Sequence, residues 1–254
     1  MLWFLFSILK IEENKVDTSV KGIVLKTKDY KDSDKLITIL TLEKGKILVK
    51  ARGVKKPSSK LKAFCQSFCF ADFELVESKA GFVLTGVNEI ENFYNLTLDI
   101  DKFSYAFCVL EIVDKICAEN QEYVNVFIDC LKCLQQMSYS SSDCRLILSK
   151  FILNLLNYEG FNVNLSKCSN CKTPLVGDLY FDLNRGEVLC SACKSFDSIE
   201  LEKSVFSALK ILSSCEYDKL STVKFSSLIL DKTLKLLTKN INFKFDIKLN
   251  SIEL

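Results

Sequence analysis

The chain has 254 residues, with 34 Lys+Arg against 32 Asp+Glu, twelve cysteines and no histidine. The lack of imidazole excludes Ser-His-Asp and Cys-His nucleophile pairs, histidine-based zinc proteases and any His general base, so a metal would have to sit on Cys or carboxylate. A net charge of +2 carries no whole-chain signature of nucleic-acid binding, and 48% apolar with 26% charged residues is ordinary globular composition for two modest domains or one large one.

The first ten residues, MLWFLFSILK, hold an apolar run with no basic residue before it and no small-residue cleavage site behind it. About eight apolar residues also fall short of the roughly 20 that cross a bilayer, and no other stretch approaches that length. The cysteines are therefore expected to be reduced thiols of a cytoplasmic protein with no membrane partner.

Five strand-like runs follow, at 20–27, 35–42, 46–53, 67–77 and 81–88, rich in Val, Ile, Leu, Phe and Thr. Residues 43–46, EKGK, read as a hairpin turn between the second and third. In the fourth run Phe68 and Phe70 share one parity and Phe73 and Leu75 the other. A bulge near Ala71 and Asp72 would turn all four inward. Five antiparallel strands in about 70 residues, with a long linker after the third, predict a partly open barrel of the oligonucleotide-binding (OB) type, with a five-stranded SH3-like barrel as the alternative.

The third run and that linker read KGKILVKARGVKKPSSKLK and carry Lys44, Lys46, Lys50, Arg52, Lys55, Lys56, Lys60 and Lys62 with no acid. Residues 20–62 hold 13 basic groups against 4 acidic, whereas 63–99 hold one Lys against six acids. Lys46, Leu48, Lys50 and Arg52 alternate with Ile47, Val49 and Ala51, which puts a cationic face opposite a core face. A flexible loop over 54–59 would follow a phosphate backbone. A single lysine run is usually a solvated loop, but this one lies on a barrel strand with a high local charge, and the eight cations are candidate DNA contacts. Lysines of this kind position a backbone and read no bases.

After residue 95 the apolar period changes from two to 3.6. Phe103, Ala106, Phe107, Leu110, Val113 and Cys117 fall on one helical face, with Asp99 or Asp101 as N-cap. Further helices are expected over 123–136, 143–158, 200–214 and 226–239. The third is apolar nearly all round and should be the central buried helix.

Cys168, Cys171, Cys190 and Cys193 form a C-x2-C-x18-C-x2-C array. Two such knuckles, joined by two short strands around Asn184-Arg185-Gly186, close a tetrahedral thiolate site suited to structural zinc, with iron as the rival ion. Four protein thiolates leave no open coordination position, so such a metal holds the fold. Cys130 and Cys133 have the same spacing within a helix and read as buried small hydrophobes, as do the remaining cysteines.

With these pieces placed, the chain resembles the bacterial RecO family of recombination and repair mediators. The resemblance is carried by VKGIVLKTKDY with DSDK behind it (residues 20–35), the GKI and ARGV strand, the KPSSKL linker, LDIDKFSYAF with LEIVD (98–114), and NYEGFNVNL (157–165) leading into the cysteine quartet. It implies an OB-fold DNA-binding domain over 20–95, an α-helical domain over 96–164 and 196–254, and a zinc ribbon inserted at 165–195. It also implies a non-enzymatic function: binding single- and double-stranded DNA, annealing complementary strands and, with RecR, helping RecA onto strands coated by single-strand-binding protein (SSB). Members bind the acidic, apolar C-terminal tail of SSB in the helical domain. Arg145 and Lys150, the basic residues on the otherwise apolar third helix, are the candidates, with a snorkelled surface lysine as the plain alternative for Lys150. A nuclease or Cys-based oxidoreductase and an RNA-binding zinc-ribbon protein are the other classes considered.

Two features depart from the family pattern. Only three arginines stand beside 31 lysines, so bidentate contacts are weakened or moved. Residues 1–19 extend beyond the usual start. A misassigned start codon, with Val16 or a neighbour as the true start, is preferred over a membrane-touching or partner-binding segment.

Overall fold

The computed structural model describes residues 17–78 and 81–252. Five strands, β1 (Asp17–Tyr30), β2 (Asp34–Thr41), β3 (Gly45–Ala51), β4 (Phe70–Ser78) and β5 (Gly81–Glu91), close a barrel in the order β1-β2-β3-β5-β4. Neighbours are antiparallel except β3 and β5, which pair in parallel at Val49↔Phe82 and Lys50↔Val83. This is the OB-type barrel. Strand β1 begins three residues earlier than expected, and Asp17, Thr18 and Ser19 pair with Val76, Leu75 and Glu74. Residues 1–16 of the expected N-terminal extension lie outside the described residues.

Alternation fills the barrel. Val20 and Val24 of β1, Ile37 and Ile39 of β2, Ile47, Val49 and Ala51 of β3, and Ala71, Phe73 and Leu75 of β4 share one buried cluster. The expected inward turn of Phe68 and Phe70 does not occur. Register shifts leave Ile90 and Thr85 unpaired on β5, so β4 keeps its parity. Phe68 and Phe70 point outward and meet the helices instead. Phe68 lies edge-on to Phe103 and Phe107 at 5.6 and 6.4 Å, and Phe70 edge-on to Phe127 at 6.1 Å.

The helical domain comprises α1 (Ile100–Ile116), α2 (Val124–Tyr139), α3 (Cys144–Tyr158), α4 (Lys203–Ser214) and α5 (Ser227–Phe245). Caps set three of the starts: Asp99 accepts from the Asp101 and Lys102 amides, Asp143 from Arg145, and Ser226 from Ile229. Helix α3 packs against α1, α2, α4 and α5 and is buried nearly all round. No helix among the described residues is long and apolar enough to cross a membrane.

Between α3 and α4, β6 (Leu179–Asp182), β7 (Glu187–Cys190) and β8 (Ser198–Leu201) form a three-stranded sheet in the order β7-β6-β8. The third strand extends the ribbon beyond residue 195. It has only four residues with one fully buried, too short for an alternation signal, and is held by backbone pairing to β6. Leu179, Phe181, Val188 and Leu201 join the helical core, so the ribbon is built into that domain.

The barrel wall carrying Ile23, Leu25, Leu40 and Phe68 shares the same core. At its edge the β2–β3 turn rests on the α1–α2 connection: Asn120 donates to the Lys46 carbonyl at 3.0 Å. Gly45 sits at φ 65°, and a Cβ there would lie 1.7 Å from the Gln121 carbonyl oxygen. The helices thus cover one end of the outer β1-β2-β3 face and leave the other end open.

Candidate nucleic-acid interface and metal centre

The open end of that face is where the cations gather. Cross-strand pairing sets Lys28 beside Leu36 and Leu36 beside Lys50, with Lys26 two residues along β1. Strand β3 alternates as expected, Ile47, Val49 and Ala51 buried and Lys46, Leu48 and Lys50 outward. Tyr30 closes the row at 37% exposure, with the Lys50 and Lys31 Nζ atoms 5.0 and 5.5 Å from its ring centroid. Lys26, Lys28, Tyr30 and Lys31 lie outside the candidate run of residues 44–62. Their signal was a lone aromatic among alternating charges, KTKDYK.

The eight expected cations are not equivalent. Arg52, Lys56, Lys60 and Lys62 are exposed. Lys44 is half-buried, with its Nζ 5.7 Å from the Phe82 ring centroid. Lys50 pairs with Asp34 at 3.2 Å and Lys55 with Asp29 at 2.7 Å. The Asp34 carboxyl is held below its ordinary pKa by the Gly53 N–H and by Lys50, and that of Asp29 by Lys55. Lys46 is turned into the seam: its Nζ lies 3.7 Å from an Asp114 carboxylate oxygen and donates to the Asp114 carbonyl. With its side chain only 12% exposed, it is withdrawn from the open face.

The linker after β3 is not the free loop its composition predicted. The Lys55 amide donates to Ser33 at 2.9 Å, and successive turns carry the chain through Lys56, Ser59 and Leu61. Val54 and Cys65 are fully buried in the barrel cluster, with Leu61 and Phe64 packed on it. The apolar residues spaced through the linker anchor it as a cap on the barrel, and its lysines project from a fixed base.

In the ribbon, the Cys168, Cys171, Cys190 and Cys193 sulfurs all lie within 4.8 Å of one another, and Cys171 and Cys190 are 3.7 Å apart. Four ligands at about 2.3 Å around a tetrahedral ion would stand roughly 3.8 Å apart, so the cluster fits a metal of that kind. The first knuckle is closed by the Cys168 amide donating to Thr173 at 2.8 Å and Lys172 donating to Cys168 at 3.0 Å. The Thr173 hydroxyl and amide lower the Cys171 pKa to about 6. Asn170 favours the Cys193 thiolate, yet its sulfur neighbours push it up to about 11. Several thiolates this close need a cation between them. Cys130 and Cys133 are fully buried in the helical core, and desolvation raises both thiols, which leaves them unreactive.

Arg145 and Lys150 occupy different settings. The Arg145 guanidinium donates to Asp143 at 2.6 Å, Asp231 at 2.8 Å and Ser227 at 2.8 Å. Lys150 is five residues on, about 140° around the helix. It is 6% exposed, its pKa lowered by desolvation, and no carboxylate oxygen among the described residues lies within 4 Å of its amine. Nearby, Asp129 accepts from Asn154 at 2.9 Å and Tyr217 at 3.1 Å, and burial lifts its carboxyl to about 6.

Two family models match the chain: Recombination protein O N terminal over residues 16–93 and Recombination protein O C terminal over residues 97–253. Curated relatives include the DNA repair protein RecO of Clostridium perfringens, 27% identical over 92% of this chain and 95% of its own length. That of Clostridium acetobutylicum is 29% identical over 85% and 88%.

Proposed function

The chain belongs to the RecO family of DNA repair proteins, and from that membership we propose that it is a non-enzymatic mediator of recombinational repair in the bacterial cytoplasm. It binds single- and double-stranded DNA, anneals complementary strands and, with RecR, helps RecA onto SSB-coated single strands. The observation that supports this most is the open β1-β2-β3 face, where the Lys50 and Lys31 amines stand over the ring of the exposed Tyr30 and Lys28 and Arg52 are exposed on the same strands and the turn after them. In an OB barrel the face of strands 2 and 3 with the β1–β2 loop is the usual oligonucleotide surface. The cations screen the repulsion between two strands, and Tyr30 offers a base a stacking surface without reading its edges.

The test is strand annealing by the pure protein, followed with two complementary labelled oligonucleotides. The rate should rise above the spontaneous one and the gain should vanish as salt is raised. No acceleration at low salt, or magnesium-dependent cleavage of the DNA, would contradict it.

We assign the ion of the cysteine quartet as zinc, on the tetrahedral all-thiolate donor set. It is a fold-holding site, and elemental analysis should find about one zinc per chain. For the acidic SSB tail we favour Lys150 over Arg145, because Arg145 already pairs with two carboxylates whereas no carboxylate oxygen among the described residues lies within 4 Å of the Lys150 amine. Lys150→Met and Lys150→Glu should each weaken binding of an SSB tail peptide severalfold in a folded protein. Unchanged affinity in both would remove Lys150 from the site.

A further inference from the structure

Cations continue past the barrel. At the seam Lys26 pairs with Asp114 at 2.6 Å, the lysine side chain 58% exposed and the carboxylate 17%, so the ion pair presents its positive end to solvent. One helical turn along α1, Lys115 pairs with Glu111 at 2.6 Å in the same sense, 28% against 10%. The Glu111 carboxylate also accepts from the Asn250 and Ser251 amides at 2.9 to 3.0 Å, which straps the C-terminal segment to α1.

Along that strap the Lys115 amine donates to the Lys248 carbonyl. Lys26, Lys115, Asn250 and Ser251 line one cleft of about 310 Å³. Lys248 lines the next, about 180 Å³, together with Lys235 and Lys239 of α5. These two are one helical turn apart on one face, and both are exposed. No carboxylate oxygen among the described residues lies within 4 Å of Lys235, Lys239 or Lys248. The exposed acids near them are Asp246 and, across a second cleft that Lys235 and Lys239 also line, Glu200 and Glu202. Lys232, one turn back, is tied to Glu202 and ends the row.

We propose that the nucleic-acid surface does not stop at the barrel but runs as a cationic track from Lys26 across the seam, through Lys115 and Lys248, onto Lys239 and Lys235 of α5, where it takes the phosphate backbone of the same strand. The inference rests on the barrel face being the primary DNA surface. Point charges on flexible stems suit a backbone rather than bases, and every member of the track is a lysine. It therefore adds length and salt dependence without sequence preference.

The test compares salt dependence on two single strands, one of about 10 nucleotides, within the reach of one OB barrel, and one of about 30 nucleotides. Both are measured at one protein per strand, with wild type and with a Lys235→Gln, Lys239→Gln, Lys248→Gln variant of unchanged melting temperature. Wild type should give a steeper log-log slope on the longer strand. The variant should lose about 2 from that slope, for three phosphates at about 0.7 each, and keep the slope on the shorter strand. Equal wild-type slopes on both lengths, or a variant matching wild type on the longer strand, would overturn the track and leave the barrel reading standing. Salt-independent wild-type binding on both lengths would overturn the barrel reading and the track with it.

Discussion

Tyr30 and Lys46 show how far a single residue's role depends on what lies across from it. Lys46 belongs to an acid-free run in the sequence, yet its charge is met by Asp114, 68 residues away, and the run of eight is effectively shorter at the open face. Tyr30 stood outside that run and lies among its charges. Tyr30→Ala should weaken single-strand binding by about 1–3 kcal/mol, the value of a base stacked on an aromatic, and leave duplex binding nearly unchanged. Equal loss on both would make Tyr30 a packing residue. Asp129 offers a test by pH. Its carboxyl is lifted by burial from 3.8 to about 6, so between about pH 3 and about pH 7 the folded and unfolded chains differ in its charge. As pH rises through that window the unfolded chain ionises first, and the folded state loses up to about 3 kcal/mol. Asp129→Asn should thus gain stability over wild type in urea denaturation at pH 7.5, with the difference shrinking towards pH 4. A difference independent of pH would contradict the shift.

At the scale of elements, alternation and helical period were legible because burial on one face imposes them. The five barrel strands, the cap at Asp99 and the buried α3 all follow from local pattern. Phe68 and Phe70 were misassigned to the barrel interior because the wall is apolar on both sides where the helices dock, and parity alone does not say which side is the barrel. Strand β8 was illegible for the opposite reason, a backbone pairing with hardly any side-chain pattern. The anchored linker was hidden by its lysines, although Val54, Leu61 and Cys65 carried the signal. Two expectations follow. Gly45→Ala should lower the melting temperature, since the positive φ and the Gln121 carbonyl both oppose a side chain there. Chelation of the ribbon metal should destabilise the helical domain as well as the insert, because Phe181 and Val188 belong to its core. Hydrogen exchange confined to 165–201 would show the ribbon to be energetically separate.

For the molecule as a whole, the near-zero charge total is an average over an uneven surface. The cations collect on the open barrel face and the turns after β3, while the helices cover the neighbouring stretch of the same strands and absorb Lys46. That partition, a covered half that fixes the barrel and an open half that carries charge, is the basis for reading the protein as a binding module. The most direct test is equilibrium binding of a labelled single strand between about 50 and 400 mM monovalent salt. If about six phosphates are neutralised, log Kd against log salt should be linear, with affinity falling at a slope near −4 on single strands and near −5 on duplex. Replacing Lys56, Lys60 and Lys62 with Gln should make both slopes shallower by about 2 to 3. Binding unchanged across that salt range, or slopes unmoved by the triple substitution, would contradict the account.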